Sequence, residues 1–106
     1  MNKFSETDIA LMHCIGEQCM SNDANTIWLL RRGTLSLTCT QREDGGVKVF
    51  CADNEYAIQT TCDAQTLEDA IRQAFSQYRE KSSAVRQTRQ FISNAEDDIR
   101  KHMEMK

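Results

Sequence analysis

The chain has 106 residues, of which 40% are apolar and 27% charged, with a formal net charge of −3 at pH 7. This length and composition indicate one globular domain with a modest core, and they exclude an intrinsically disordered chain. No apolar run approaches the length of a membrane span, and the first residues lack the apolar core of a signal peptide. We therefore expect a cytoplasmic protein with no membrane partner.

The charge is distributed unevenly along the chain. Residues 1–70 carry 11 acidic and 5 basic side chains, whereas residues 71–106 carry 5 acidic and 8 basic ones. This asymmetry indicates either charge pairing within the protein or a basic surface that attracts an acidic partner.

The first predicted element is a helix that begins near Ser5 or Thr7. Asp8, three residues after Ser5, is typical of a helix N-terminus, where an acidic side chain meets free backbone amides. An apolar stripe at helical spacing follows, formed by Ile9, Met12, Ile15 and Cys19. Gly16 weakens this helix without forbidding it, and we expect the helix to end in the polar turn at residues 21–25.

The middle of the chain is predicted to form an antiparallel meander of three or four strands. Residues 26–32 are apolar on both phases, which suits a central strand. Residues 34–40 alternate between apolar and hydroxyl side chains, and the segments 47–51 and 55–61 continue the sheet. The sequence EDGG at residues 43–46 is a strong hairpin signal, because glycine reaches positive φ angles. We expect one face of the sheet to be buried and the other to be polar.

Residues 66–105 contain neither glycine nor proline and are predicted to form one long helix or two consecutive helices that pack on the sheet. The seam positions are alternately four and three apart, and they are Leu67, Ile71, Ala74, Tyr78, Lys81, Val85, Thr88, Ile92, Ala95, Ile99 and His102. The apolar face thins at residues 81–83, where we expect a kink or a short break. The predicted fold is a single α+β domain over residues 1–106, with the N-terminal helix, the meander and the C-terminal helix in that order.

Residues 84–106 carry more apolar surface than a solvated terminal helix needs. The predicted interface comprises Val85, Phe91, Ile92, Ile99 and Met103. This segment either folds back on the sheet or protrudes and pairs with another protein or a second copy, and two-fold self-association is the commonest oligomer.

The same helix carries a row of basic residues, spaced mostly by multiples of seven. The predicted binding ridge comprises Arg72, Arg79, Arg86, Arg89 and Arg100, and Lys81 thickens it. Such a ridge suits nucleic-acid phosphates or an acidic protein face, or else it is a solvated face paired with the acidic first half. The net acidity and the lack of a recognised nucleic-acid motif weigh against nucleic acid.

Three aromatic residues of the sheet region are open to two arrangements. Trp28, Phe50 and Tyr56 form either a binding patch on the outer face of the sheet or part of the core beneath the long helix. The sequence does not decide between these arrangements.

No group of residues predicts catalysis, a metal site or a bound cofactor. His13, Cys14 and Cys19 are soft ligands, but their spacing is not that of a zinc site, and adjacent residues on a helix point about 100° apart. Cys39 and Cys51 fall on the apolar phase of their strands, where a free cysteine behaves as a small hydrophobe.

These patterns predict a small non-enzymatic protein-binding module that acts through its C-terminal helix as an adaptor or inhibitor. Its size is in keeping with an accessory protein of a phage or mobile element. The alternative is a nucleic-acid-binding protein that uses the arginine ridge, and a third hypothesis is a cysteine- or metal-dependent enzyme.

Overall fold

The computed structural model describes residues 3–104. Two helices flank five strands, in the order α1 (Glu6–Ile15), β1 (Glu17–Ser21), β2 (Ile27–Arg32), β3 (Leu35–Gln41), β4 (Val47–Asp53), β5 (Ile58–Ala64) and α2 (Leu67–Glu104). The predicted α+β class and element order are confirmed, with an antiparallel meander between an N-terminal helix and a long C-terminal helix that packs on the sheet.

The prediction of three or four strands is wrong, because the first helix is shorter than predicted and frees residues for a fifth strand. The hydroxyl of Ser5 accepts a hydrogen bond from the Asp8 amide (3.1 Å), as the sequence indicates, but α1 spans only 10 residues. Gly16 then continues in an extended conformation, and a Cβ at this position would lie 3.0 Å from the carbonyl oxygen of Arg31. The glycine lets the chain turn closely against β2, so Cys19 lies on β1 and not in the helical stripe.

Each strand pairs with the next strand along the chain, in the order β1-β2-β3-β4-β5. In this register Trp28, Cys39, Val49 and Cys62 lie side by side on one face, and each is at most 5% exposed. The opposite face is at least partly exposed, and its central row is Leu29, Thr38, Phe50 and Thr61. The sheet is thus buried on one face and open on the other.

The hairpin predicted at residues 43–46 connects β3 to β4. The Arg42 amide donates a hydrogen bond to the Gly46 carbonyl (2.8 Å), and Gly45 has a φ of 92°. A side chain at Gly45 would be strained at this angle, which is why glycine suits the turn.

Two helices cover the buried face of the sheet. α1 lies over β1 and β2, and the first half of α2 lies over β4 and β5. The largest fully buried side chains are Met12, Leu30, Leu37, Leu67, Val49, Cys39 and Cys51. α2 is one continuous helix, and the break expected at residues 81–83 is absent. Ser82 is buried instead, because the small side chain fits where the helix still faces the sheet.

Candidate functional site

α2 extends beyond the sheet that its first half covers. Its buried residues are Leu67, Ala70, Ile71, Ala74 and Ser82. In the following segment, residues 83–104, every side chain is exposed or half-buried. At a rise of about 1.5 Å per residue this segment, the arm, spans roughly 33 Å. The arm accounts for much of the 71 Å long dimension of the molecule, against 23 and 18 Å in the other directions.

Two polar contacts attach the helix to the sheet just before the arm. The Tyr78 hydroxyl donates a hydrogen bond to the carboxylate of Asp53, a buried side chain that also accepts from the Glu55 amide (2.9 Å). The bond from the tyrosine is the main cause that lowers the pKa of Asp53, and the same bond raises the pKa of Tyr78. Lys81 Nζ donates to the carbonyl oxygen of Gln59 (2.7 Å). α2 is therefore attached to the sheet at Tyr78 and Lys81, immediately before the arm begins.

Tyr56, in the turn between β4 and β5, contacts the base of the arm itself. The guanidinium carbon of Arg89 lies 4.6 Å from the centre of the tyrosine ring, and that of Arg86 lies 5.9 Å from it. Cation–π contacts of this kind contribute about 0.5–1 kcal/mol at exposed sites. Two arginines of the predicted ridge are thus directed toward the protein's own aromatic ring.

The arm carries an uncovered apolar stripe. Phe91 is 72% exposed, Ile92 49%, Ile99 60% and Met103 68%. Val85, the remaining member of the predicted interface, is half-buried at the base of the arm. Val85, Ile92, Ile99 and Met103 are seven, seven and four residues apart, so they share one side of the helix and form one stripe along the arm. Phe91 lies beside this stripe, about 100° around the helix from Ile92.

The predicted arginine ridge is not a single free surface. Arg72 and Arg100 each pair with a carboxylate of their own helix, at 2.7 and 3.8 Å. Arg86 and Arg89 lie against the tyrosine ring. Within residues 3–104, Arg79 is the member for which no ion pair or ring contact is found. Of the ridge residues, Arg86 and Arg89 are the two that contact a common group, the ring of Tyr56.

A shallow groove of about 520 Å³ lies where the arm leaves the sheet. Its lining residues are Tyr56, Ala57, Ile58, Gln59, Lys81, Ala84 and Val85. Val85 belongs both to this groove and to the seam of the arm. Val85 therefore lies both on the side of the helix that carries the stripe and in a concave surface at the base of the arm.

The three aromatic residues do not form one patch. Trp28 faces the helices and is buried, with its ring packed edge-on against His13 at 5.5 Å between ring centres. Phe50 lies half-buried on the opposite face of the sheet, and Tyr56 lies in the turn beside the arm. A shared outer patch is therefore wrong, and so is a core that holds all three, because the register of β2 and β4 turns their aromatic side chains to opposite faces.

The cysteines are free thiols of two kinds. Cys39, Cys51 and Cys62 are buried, and burial raises the pKa of all three, that of Cys39 to about 12. Cys14 and Cys19 are exposed. Across the described residues, no group of three His, Cys, Asp or Glu side chains is placed to hold a metal ion.

The predicted site residues do not include Asp53 and Tyr78, whose hydrogen bond attaches α2 to the sheet. Asp53 follows Val49 and Cys51 at the inward phase of β4, which places a carboxylate on the buried face. A buried carboxylate requires a hydrogen-bond donor, so this position was a detectable signal for a buried polar partner. The donor itself, Tyr78, lies 25 residues further along the chain and has no local signal.

Comparisons with protein-family models, curated proteins and solved structures give no match. Between residues 3 and 104, neither helix combines the length and apolar character needed to cross a membrane.

Proposed function

We propose that this protein is a non-enzymatic protein-binding module, of adaptor or inhibitor type, that binds its partner through the arm of α2. The observation that carries this proposal is the stripe of Ile92, Ile99 and Met103, with Phe91 beside it, each between 49% and 72% exposed, beyond the last buried residue of the helix. Contiguous apolar surface on a monomer marks an interaction site. A helix face or an apolar groove on a partner would cover this stripe.

Protein is favoured over nucleic acid as the partner by the state of the arginines. Phosphate binding depends on cationic groups that exchange small counterions for the nucleic-acid backbone. Arg72 and Arg100 already pair with carboxylates of their own helix. The net charge of −3 also opposes a polyanion.

Affinity capture with an arm variant tests the proposal. We expect the tagged wild-type protein to capture a protein partner from cell lysate at near-stoichiometric amounts, with or without nuclease. The Ile92→Asp, Ile99→Asp double variant should lose that partner, because two charges on the stripe cannot be buried without cost. Mass spectrometry of the eluates identifies the proteins captured by the wild type and by the double variant.

Met20→Asp is the matched control, since Met20 is an apolar side chain of β1 that is 61% exposed and lies away from the arm. This variant should retain the partner. Partners that vanish with nuclease would replace the proposal with nucleic-acid binding, and equal capture by the double variant would show that the arm is not the surface.

A further inference from the structure

The charges of the arm complement those of a second arm that runs in the opposite direction. Its first half carries Arg86 and Arg89 and no acidic residue, whereas its second half carries four acidic side chains against Arg100 and Lys101, a net charge of −2. Two parallel arms would place acid beside acid and base beside base. Two antiparallel arms place the basic half of one beside the acidic half of the other, and their helix dipoles also attract.

We propose that the arm binds the arm of a second copy of this chain in an antiparallel, two-fold symmetric pair. This inference rests on the proposed function and names the partner of the same surface. A self-complementary patch is the requirement of a two-fold interface. The arm meets this requirement in its apolar seam, its charges and the groove at its base.

The apolar seam has a register that fits this symmetry. When the two-fold axis passes between residues 93 and 94, Ile92 packs against Ala95 of the second copy, and Thr88 packs against Ile99. Each of these layers occurs twice and sets a large side chain against a smaller one, which is how facing helices interdigitate. Val85 and His102 form the outermost layer.

The same register sets Arg89 beside Glu96 of the second copy, twice. Within one chain these residues are seven apart, roughly 10 Å along the helix, so they do not pair there. The described monomer has no ion pair at Glu96. A guanidinium that stacks its flat face on Tyr56 still presents its N–H edge to a carboxylate. The pairing therefore gives Glu96 a cationic partner and leaves the contact between Arg89 and Tyr56 intact.

The end of the second arm reaches the groove. In this register Met103 of the second copy lies level with Ala84, at the rim of the groove of about 520 Å³. Methionine is flexible and adapts to irregular apolar surfaces. One interaction thus covers both the stripe and the groove.

A charge exchange between variants tests this arrangement. Sedimentation equilibrium over about a hundredfold range of concentration should show a reversible dimer of the wild-type protein. Arg89→Glu alone and Glu96→Arg alone should each weaken the dimer about tenfold or more, because each creates two like-charged contacts. An equimolar mixture of the two variants should restore dimers, since each chain then meets the opposite charge at both positions.

Arg79→Glu is the control and should leave the dimer unchanged, because residue 79 lies outside the paired segment. A wild-type protein that stays monomeric, or a mixture that fails to restore association, would overturn the inference. The proposed function is tested separately, by whether the wild-type protein captures a different protein that the Ile92→Asp, Ile99→Asp variant fails to capture.

A distance measurement tests the orientation. A spin label at Met103→Cys, in a chain that also carries Cys14→Ser and Cys19→Ser, reports the separation of the two arm ends. The antiparallel register predicts roughly 30 Å between labels, whereas a parallel pair brings them within about 10–15 Å. A short distance would overturn the antiparallel assignment.

Discussion

The two halves of α2 share one residue spacing but lie in different environments. In the first half, the seam residues Ile71 and Ala74 and the neighbouring Ala70 are buried against β4 and β5. In the arm, the same spacing leaves Ile92 and Ile99 largely exposed. The alanines let the first half approach the sheet closely, whereas the arm has no sheet beneath it. Hydrophobic periodicity therefore identifies the apolar face of a helix, but not whether the fold covers that face.

The substitution of isoleucine by alanine should change the free energy of unfolding far more in the buried half than in the arm. Ile71→Ala should lower the free energy of unfolding by about 2–5 kcal/mol, because it removes buried methyl groups and leaves a cavity. Ile92→Ala should change it by no more than about 0.5 kcal/mol when the protein is dilute enough to be monomeric. Urea unfolding followed by circular dichroism measures both values.

The wild-type protein at the same concentration is the reference for both variants. Equal losses would mean that the arm folds back on the body in solution, and the comparison between the halves would fail. A loss at residue 92 that grows with protein concentration would instead reflect the dimer.

A smaller effect is expected from the polar attachment that ends the buried half. Tyr78→Phe removes the hydrogen bond to the Asp53 carboxylate and should cost about 1.5–3 kcal/mol near pH 7, the range for bonds to charged groups. The measurement is again urea unfolding, at pH 7 and at pH 3.

The pH dependence follows from the lowered pKa of Asp53. A carboxylate of this kind stabilises the fold fully above its unfolded pKa of about 3.9, and the contribution is lost as the pH falls through the folded-state pKa. The difference between wild type and Tyr78→Phe should therefore shrink below about pH 4. An equal difference at both pH values would show that the bond does not depend on the charge.

The smallest effect is expected where the two halves meet. Tyr56→Leu keeps an apolar side chain and removes the ring that faces Arg86 and Arg89, which should cost about 0.5–1 kcal/mol. Hydrogen exchange of the dilute protein should quicken in residues 84–90 and stay unchanged in residues 67–78. Faster exchange throughout the helix would mean that the tyrosine supports the whole helix and not only the base of the arm.

The fold class followed from the sequence because most elements carry a regular pattern. The alternation of β3 and the glycines of the β3–β4 hairpin locate two strands and their turn. β1 carries no such pattern, since it is an edge strand with exposed side chains, and Cys19 happens to continue the spacing of α1. Gly16 is the C-cap of α1, and its close approach to β2 is a tertiary contact that the helical spacing does not reveal.

The candidate site was predictable in part for the same reason. The apolar side chains of the arm are visible in the helical spacing, and the structure places them on one protruding segment. The contact of Tyr56 with Arg86 and Arg89 was not visible, because it forms only through the β4–β5 turn. The burial of Trp28 was equally open, since β2 is apolar on both phases.

The order of the strands has a consequence for how the chain folds. Strands that are hydrogen-bonded neighbours are also neighbours in sequence, so each hairpin closes a short loop and the search for partners is local. The chain also contains no proline, which removes the slow cis–trans isomerisation that delays many refolding reactions. The sheet can assemble hairpin by hairpin, and the buried half of α2 then closes over it. The arm, which lies beyond the last buried residue of the helix, takes no part in this closure.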